Sequence, residues 1–101
     1  MEWKCKAFKA INTVELYEIL KLRAAVFVVE QDCPYLDLDD LDQRSHHVWT
    51  ETPQGEVIAY SRMLPPGLHV KEASIGRVVT LPSRRGENLG KQVFQQALDH
   101  A

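Results

Sequence analysis

The segment from His46 to Leu64 constrains the fold more than any other part of the chain. Two β-rich runs, His46 to Glu51 and Glu56 to Leu64, flank Pro53-Gln54-Gly55, and the second contains Val57, Ile58, Ala59 and Tyr60. Turn residues between two such runs predict a hairpin. The middle of the chain is therefore antiparallel sheet, closed off by Pro65-Pro66-Gly67. Every other element must pack on that hairpin or extend it.

Ahead of it, Trp3, Cys5 and Ala7 alternate with charged residues before Phe8, which predicts a first strand. Asn12 with Glu15 three residues later has the form of a capping box, and Leu16, Tyr17, Leu20, Ala24, Phe27 and Val28 follow at helical spacing. Ala24 to Val29 is apolar on every side and reads as buried, with β-branched residues that leave the helical end undefined. Residues 30 to 45 show no periodicity and predict a long acidic loop with at most a short helix. After the hairpin, a strand runs from about Glu72 to Leu81, with Ile75, Val78 and Val79 as its apolar content. Pro82 ends it, because proline cannot donate to a ladder. Leu89, Val93, Phe94, Ala97 and Leu98 then form one face of an amphipathic helix.

The order β-α-loop-β-β-β-α, without repeats or linkers, gives one α+β domain over residues 1–101. The last helix runs to His100-Ala101 without a glycine cap or breaker, and no segment follows to cover the other side of the sheet. The domain is expected to be C-terminally incomplete.

Composition narrows the function classes. Hydrophobic residues are 45% and charged residues 26%, the balance of a globular chain. A net charge of −2 offers no electrostatic reason for a nucleic-acid partner. No apolar run approaches the roughly 20 residues of a membrane span. The opening residues MEWKCKAFKA are charged where a secretory signal needs its apolar stretch, so a cytoplasmic location is expected. Cys5 and Cys33 are too few for a disulfide framework and read as free thiols in or near the core. His46 and His47 are adjacent on a strand, point to opposite faces and cannot converge on one ion, so no metal is expected.

The stretch from Gly76 to Lys91 carries the chemistry. It places Arg84, Arg85, Gly86 and Gly90 where a strand turns into a helix, with Lys91 just inside. A helix start offers unpaired N–H groups and the positive end of the dipole, glycines admit close approach, and arginines add charge-assisted bonds. A diphosphate is the natural guest. A nucleotide P-loop is excluded by the spacing of the first glycine and by Gln92 where a magnesium-binding Ser or Thr belongs, and no dinucleotide G-x-G-x-x-G is present. The plain alternative is an arginine-rich cap on a solvated turn.

The sequence Gly76-Arg-Val-Val-Thr-Leu-Pro-Ser-Arg-Arg-Gly-Glu-Asn-Leu-Gly-Lys91 resembles the acetyl-CoA-binding segment of the GNAT N-acetyltransferases. Leu22-Arg-Ala-Ala-Val-Phe-Val-Val-Glu-Gln-Asp-Cys-Pro-Tyr-Leu-Asp37 and Tyr60-Ser-Arg-Met-Leu64 resemble the ElaA-like branch of that superfamily, in the same order along the chain. The resemblance implies the N-terminal part of the acyl-CoA N-acyltransferase fold, a mixed, mostly antiparallel sheet flanked by helices. It also implies transfer of acetyl from acetyl-CoA to a primary amine by direct attack. The family pattern Arg-x-x-Gly-x-Gly falls on Arg85, Asn88 and Gly90, with Asn88 in place of a glycine; asparagine tolerates positive φ better than most residues.

Backbone from Gly86 through Glu87, Asn88, Leu89 and Gly90 to Lys91 would hold the pyrophosphate. Val78, Val79 and Thr80 would pair with the pantetheine arm and donate a strand N–H to the thioester oxyanion. Valine at Gly90 is expected to block the approach of phosphate to the backbone. In the family the fold continues with a strand that splays from the Val78 strand and a segment carrying a tyrosine acid.

Glu30 and His47 match residues of the branch and are candidate general bases, although His47 reads equally as a core-edge histidine with a backbone partner. Glu30, Asp32, Asp37, Asp39, Asp40 and Asp42 form an acidic arm that would steer a cationic amine, or else a solvated loop. Arg62 and Arg77 read as structural ion-pair partners of these carboxylates. The acceptor is a small-molecule or peptide amine. The competing readings are a CoA- or phosphate-binding module without catalysis and a purely structural fragment. An uncovered sheet edge leaves a homodimer open.

Overall fold

The computed structural model describes residues 2–68 and 71–100. Six main elements follow in the expected order: β1 (Trp3–Ala7), α1 (Thr13–Arg23), β2 (His46–Glu51), β3 (Val57–Leu64), β4 (Ser74–Thr80) and α2 (Leu89–Asp99). The strands lie side by side as β1-β2-β3-β4. Every pairing is antiparallel, so the expected mixed sheet is a plain antiparallel one among the described residues.

Helix α1 starts at the capping box. The Glu15 amide donates to Asn12 Oδ1 at 2.7 Å, and the Asn12 amide donates to Glu15 Oε1 at 3.0 Å. The same carboxylate is nearly buried and accepts from Lys4 at 2.9 Å and Lys6 at 3.0 Å, both on β1. One glutamate thus satisfies the helix end and fastens it to the sheet.

Beyond Arg23 the chain widens into a π-type helix over Ala24–Glu30, with the Gln31 amide donating to the Val26 carbonyl at 3.2 Å. Only Val26 is buried, and Val29 is 75% exposed. The expected burial of this whole segment is therefore corrected: only Val26 is fully buried, Phe27 packs partly against the core, and the wider turn leaves Ala24, Ala25 and Val29 exposed.

The sheet separates two apolar layers. Ile19, Leu22 and Val26 pack with Trp49, Val57, Tyr60 and Val79 on one face. Leu89, Val93 and Ala97 of α2 pack with Val48, Ile58 and Ala59 on the other. Both faces of the central sheet are covered within this chain, contrary to the expectation of a bare side. The central strand β3 is accordingly buried at all eight positions. Phe94 and Leu98, assigned to the apolar face of α2, are 43% and 47% exposed. The helix ends at Asp99 with His100 as its cap, and Ala101 lies outside the described residues.

Candidate functional site

Strand β4 and helix α2 are joined by a tight loop over Leu81–Asn88. Pro82 opens a single turn of 3-10 helix, closed by the Arg85 amide donating to the Pro82 carbonyl at 3.3 Å. Gly86 has φ +97° and Asn88 has φ +63°, a left-handed conformation that asparagine tolerates better than most residues. No side chain caps α2, and its first backbone bond of the α type is from the Gln92 amide to the Asn88 carbonyl. The N–H groups of Leu89, Gly90 and Lys91 thus precede the first internal bond of the helix. They lie beside Arg85 and Lys91, both exposed. This is the geometry of an anion site.

The Leu89 side chain is core, 1% exposed, so the residue offers only its backbone to the loop. A Cβ at Gly90 would lie 3.5 Å from Thr80 Oγ1 on β4, an ordinary contact pointing towards the strand. Larger side chains at Gly90 would therefore also press on the α2–β4 spacing.

Strand β4 is the outer strand of the sheet, with a free edge among the described residues. The Leu81 amide donates across to the Ile58 carbonyl at 2.9 Å. By the two-residue alternation of a strand, the Val78 and Thr80 amides turn outward to the open edge. Val79 turns inward, with its side chain in the core. Tyr60 stands opposite Val79 and Arg62 opposite Gly76, so Arg77 and Val78 together face Ser61 in a β-bulge. Arg77 sits there with φ +52°.

The acidic loop is built into the protein. Arg23, fully buried, donates from Nε to Asp37 Oδ2 at 2.8 Å and from Nη1 to Asp42 Oδ1 at 2.9 Å. Arg62 donates to Asp39 at 2.8 Å through both terminal nitrogens and to Asp42 at 3.0 Å. Arg77 donates to Asp37 Oδ1 at 2.8 Å and to Asp39 Oδ2 at 3.2 Å. Burial by itself would raise the Asp39 carboxyl, yet Arg62 and the Leu41 amide overrule it and hold it at about 2. Three arginines neutralise three aspartates, which removes half of the free negative arm read from sequence. Asp32 and Asp40 remain exposed, both at positive φ. The expected pairing of Arg62 and Arg77 with loop carboxylates is present. Arg23 was missed; its only signal is a charge standing inside an otherwise apolar run.

Neither candidate base is free. His47 is 1% exposed. Its Nε2 lies 2.9 Å from the Asp42 carbonyl oxygen, which can only accept, so Nε2 carries the hydrogen and Nδ1 accepts from the Tyr60 hydroxyl at 2.6 Å. Burial lowers its pKa and keeps it neutral. Glu30 is exposed and receives both terminal nitrogens of Arg85, at 2.6 and 2.8 Å, which lowers its carboxyl. His46 is exposed on the opposite face from His47. Among the described residues no cluster of three His, Cys, Asp or Glu side chains could hold a metal ion. No described helix is long and apolar enough to cross a membrane. Cys5 is half-buried and Cys33 exposed, so only the first is near the core.

The model of the acetyltransferase (GNAT) family matches residues 13–101. The Escherichia coli protein ElaA is 37% identical over 103 residues, covering 98% of this chain and 65% of that protein. Its crystal structure superimposes with a TM-score of 0.90 over 98% of this chain and 68% of that one, at 36% identity. An acyl-CoA N-acyltransferase of Pseudomonas aeruginosa gives a TM-score of 0.92 at 42% identity, covering 99% of this chain and 69% of that one. A GNAT family acetyltransferase of Brucella melitensis, solved in complex with acetyl-CoA, shares the fold at 19% identity, with a TM-score of 0.69 over 98% of this chain and 68% of that one. The chain spans about 60–65% of the length of the curated relatives it matches.

Proposed function

Because the chain belongs to the acetyltransferase (GNAT) family, we propose that it binds acetyl-CoA and transfers its acetyl group to a primary amine by direct attack. The observation that carries this reading is the uncapped start of α2 lying next to the open, bulged edge of β4. Backbone N–H groups from Gly86 to Lys91 hold the pyrophosphate, and Arg85 adds charge-assisted bonds once it leaves Glu30. The outward amides of Val78 and Thr80 align the pantetheine arm and meet the thioester oxygen as negative charge develops on it. Acetyl-CoA supplies an activated acyl group: the amine nitrogen bonds to the acetyl carbon, the C–S bond breaks and the thiol leaves.

Alignment of the two substrates is the chain's main contribution to rate. His47, buried and neutral, is assigned a structural role. Glu30 acts as a partner for Arg85. Asp32 and Asp40 are the carboxylates left to attract a cationic acceptor. The free thiols of Cys5 and Cys33 fit a reducing, cytoplasmic setting.

Calorimetry with acetyl-CoA, CoA and S-acetylpantetheine, which lacks the pyrophosphate, tests the binding half, and thiol release across a panel of amines tests transfer. The expected result is binding that weakens when the pyrophosphate is removed, together with amine-dependent thiol release. Absence of binding by any CoA species near millimolar concentration would overturn the reading. Binding without thiol release would reduce it to a non-catalytic CoA-binding module.

A further inference from the structure

Arg77 is an unusual residue for the middle of a strand. Its φ of +52° belongs to glycine or asparagine, and it occupies the bulge that sets how β4 presents its outer amides. An L side chain remains in such a conformation only where its surroundings hold it. Here the holding group is Asp37: Nε donates to its Oδ1 at 2.8 Å and Nη2 to its carbonyl at 3.0 Å. The second oxygen of the same carboxylate accepts from Arg23 Nε at 2.8 Å, and Arg23 also reaches the Asp37 carbonyl at 3.2 Å. Asp37 is 8% exposed and Arg23 fully buried. One carboxylate therefore links the last residue of α1 to the bulge of the cofactor strand.

We propose that Asp37 is a positioning residue for the acyl end of the site, fixing through Arg77 the bulge that aims the Val78 amide. The inference rests on the assignment of the β4 edge to acetyl-CoA, but the clamp itself is a property of the chain with or without ligand. Asp37 touches neither the pyrophosphate loop nor the outward amides, so its loss acts on the acyl end and leaves the anion site at α2 in place. A merely structural ion pair would lower stability without altering how the chain distinguishes acetyl-CoA from CoA.

The test uses the full chain with Asp37→Asn and, on the exposed side of the clamp, Arg77→Gly, which keeps a residue tolerant of positive φ but removes the side chain. Gln43→Ala, at an exposed residue between Asp42 and β2, is the control. Hydrogen exchange by NMR at Val79 and Leu81, whose amides face β3, is measured without ligand, and affinities for acetyl-CoA and CoA are measured by calorimetry. Both clamp variants are expected to exchange at these amides at least tenfold faster than the parent and the control. They are also expected to lose the parent's discrimination between acetyl-CoA and CoA while CoA affinity changes less than threefold. Unchanged exchange in folded Arg77→Gly overturns the clamp, as does full discrimination in either variant. Faster exchange in a chain that binds no CoA species would sustain the clamp and overturn the cofactor assignment instead.

Discussion

Arg85 and Glu30 are the two residues whose roles most depend on each other. Arg85 stands in the loop that leads into α2, and in this structure its guanidinium is occupied by Glu30. Phosphate must compete with that carboxylate, so Glu30→Gln is expected to tighten CoA binding severalfold, most clearly at low ionic strength. Calorimetry at two salt concentrations checks this, and equal affinities would mean that the pair does not compete. His47 makes the opposite case, a titratable group removed from chemistry by its packing. Its folded pKa lies below the ordinary value because burial disfavours the imidazolium. The unfolded chain then binds the proton first as pH falls through about 6.5, so stability declines below that point by linkage. The slope of unfolding free energy between pH 7 and 5 is expected to flatten in His47→Gln, and an unchanged slope would show that another group carries it. That variant also leaves the Tyr60 hydroxyl and Asp42 carbonyl short of a partner, at a cost on the order of 2 kcal/mol.

At the level of single elements, the start of α1 concentrates the most stability in one side chain. Burial alone would raise the Glu15 carboxyl, but Lys4, the Asn12 amide and Lys6 together bring it to about 2. A depressed carboxylate contributes fully above its unfolded pKa of about 4.5 and loses that contribution as pH drops towards 2. Glu15→Gln is expected to cost on the order of 2 kcal/mol at pH 7 and much less near pH 2, measured by urea unfolding at the two pH values. The cap was legible in the sequence because its partners, Asn12 and Glu15, are three residues apart. So were the β2–β3 hairpin and the stripe of Leu89, Val93 and Ala97, whose signals are equally local. Asn88 was legible for the same reason, since a loop conformation is written in the residue that must adopt it. The π-type turn after Arg23 was not, because the six apolar residues from Ala24 to Val29 have no period that separates it from an α-turn. Arg23 was hidden in a different way: its partners lie 14 and 19 residues ahead, in a loop without periodicity.

Across the whole molecule, the cluster of Arg23, Arg62 and Arg77 with Asp37, Asp39 and Asp42 binds α1, the long loop, β3 and β4 into one unit. It is balanced in charge and mostly shielded from water, so added salt should screen it little. Removing one partner weakens the rest: Arg23→Met is expected to destabilise by about 3 kcal/mol, because Asp37 and Asp42 stay buried with only Arg77 and Arg62 to balance them. The six residues come from positions 23 to 77, and no cluster can close until β4 has found β3. Its contacts are therefore expected to complete after the rate-limiting step of folding, where a substitution changes the lifetime of the native state and leaves its rate of formation nearly alone. Stopped-flow chevrons of Arg23→Met should show an unfolding limb raised by most of the lost stability over an almost unmoved refolding limb. The loop that was first a matter of charge would then be a matter of time, setting how long the finished sheet persists once made.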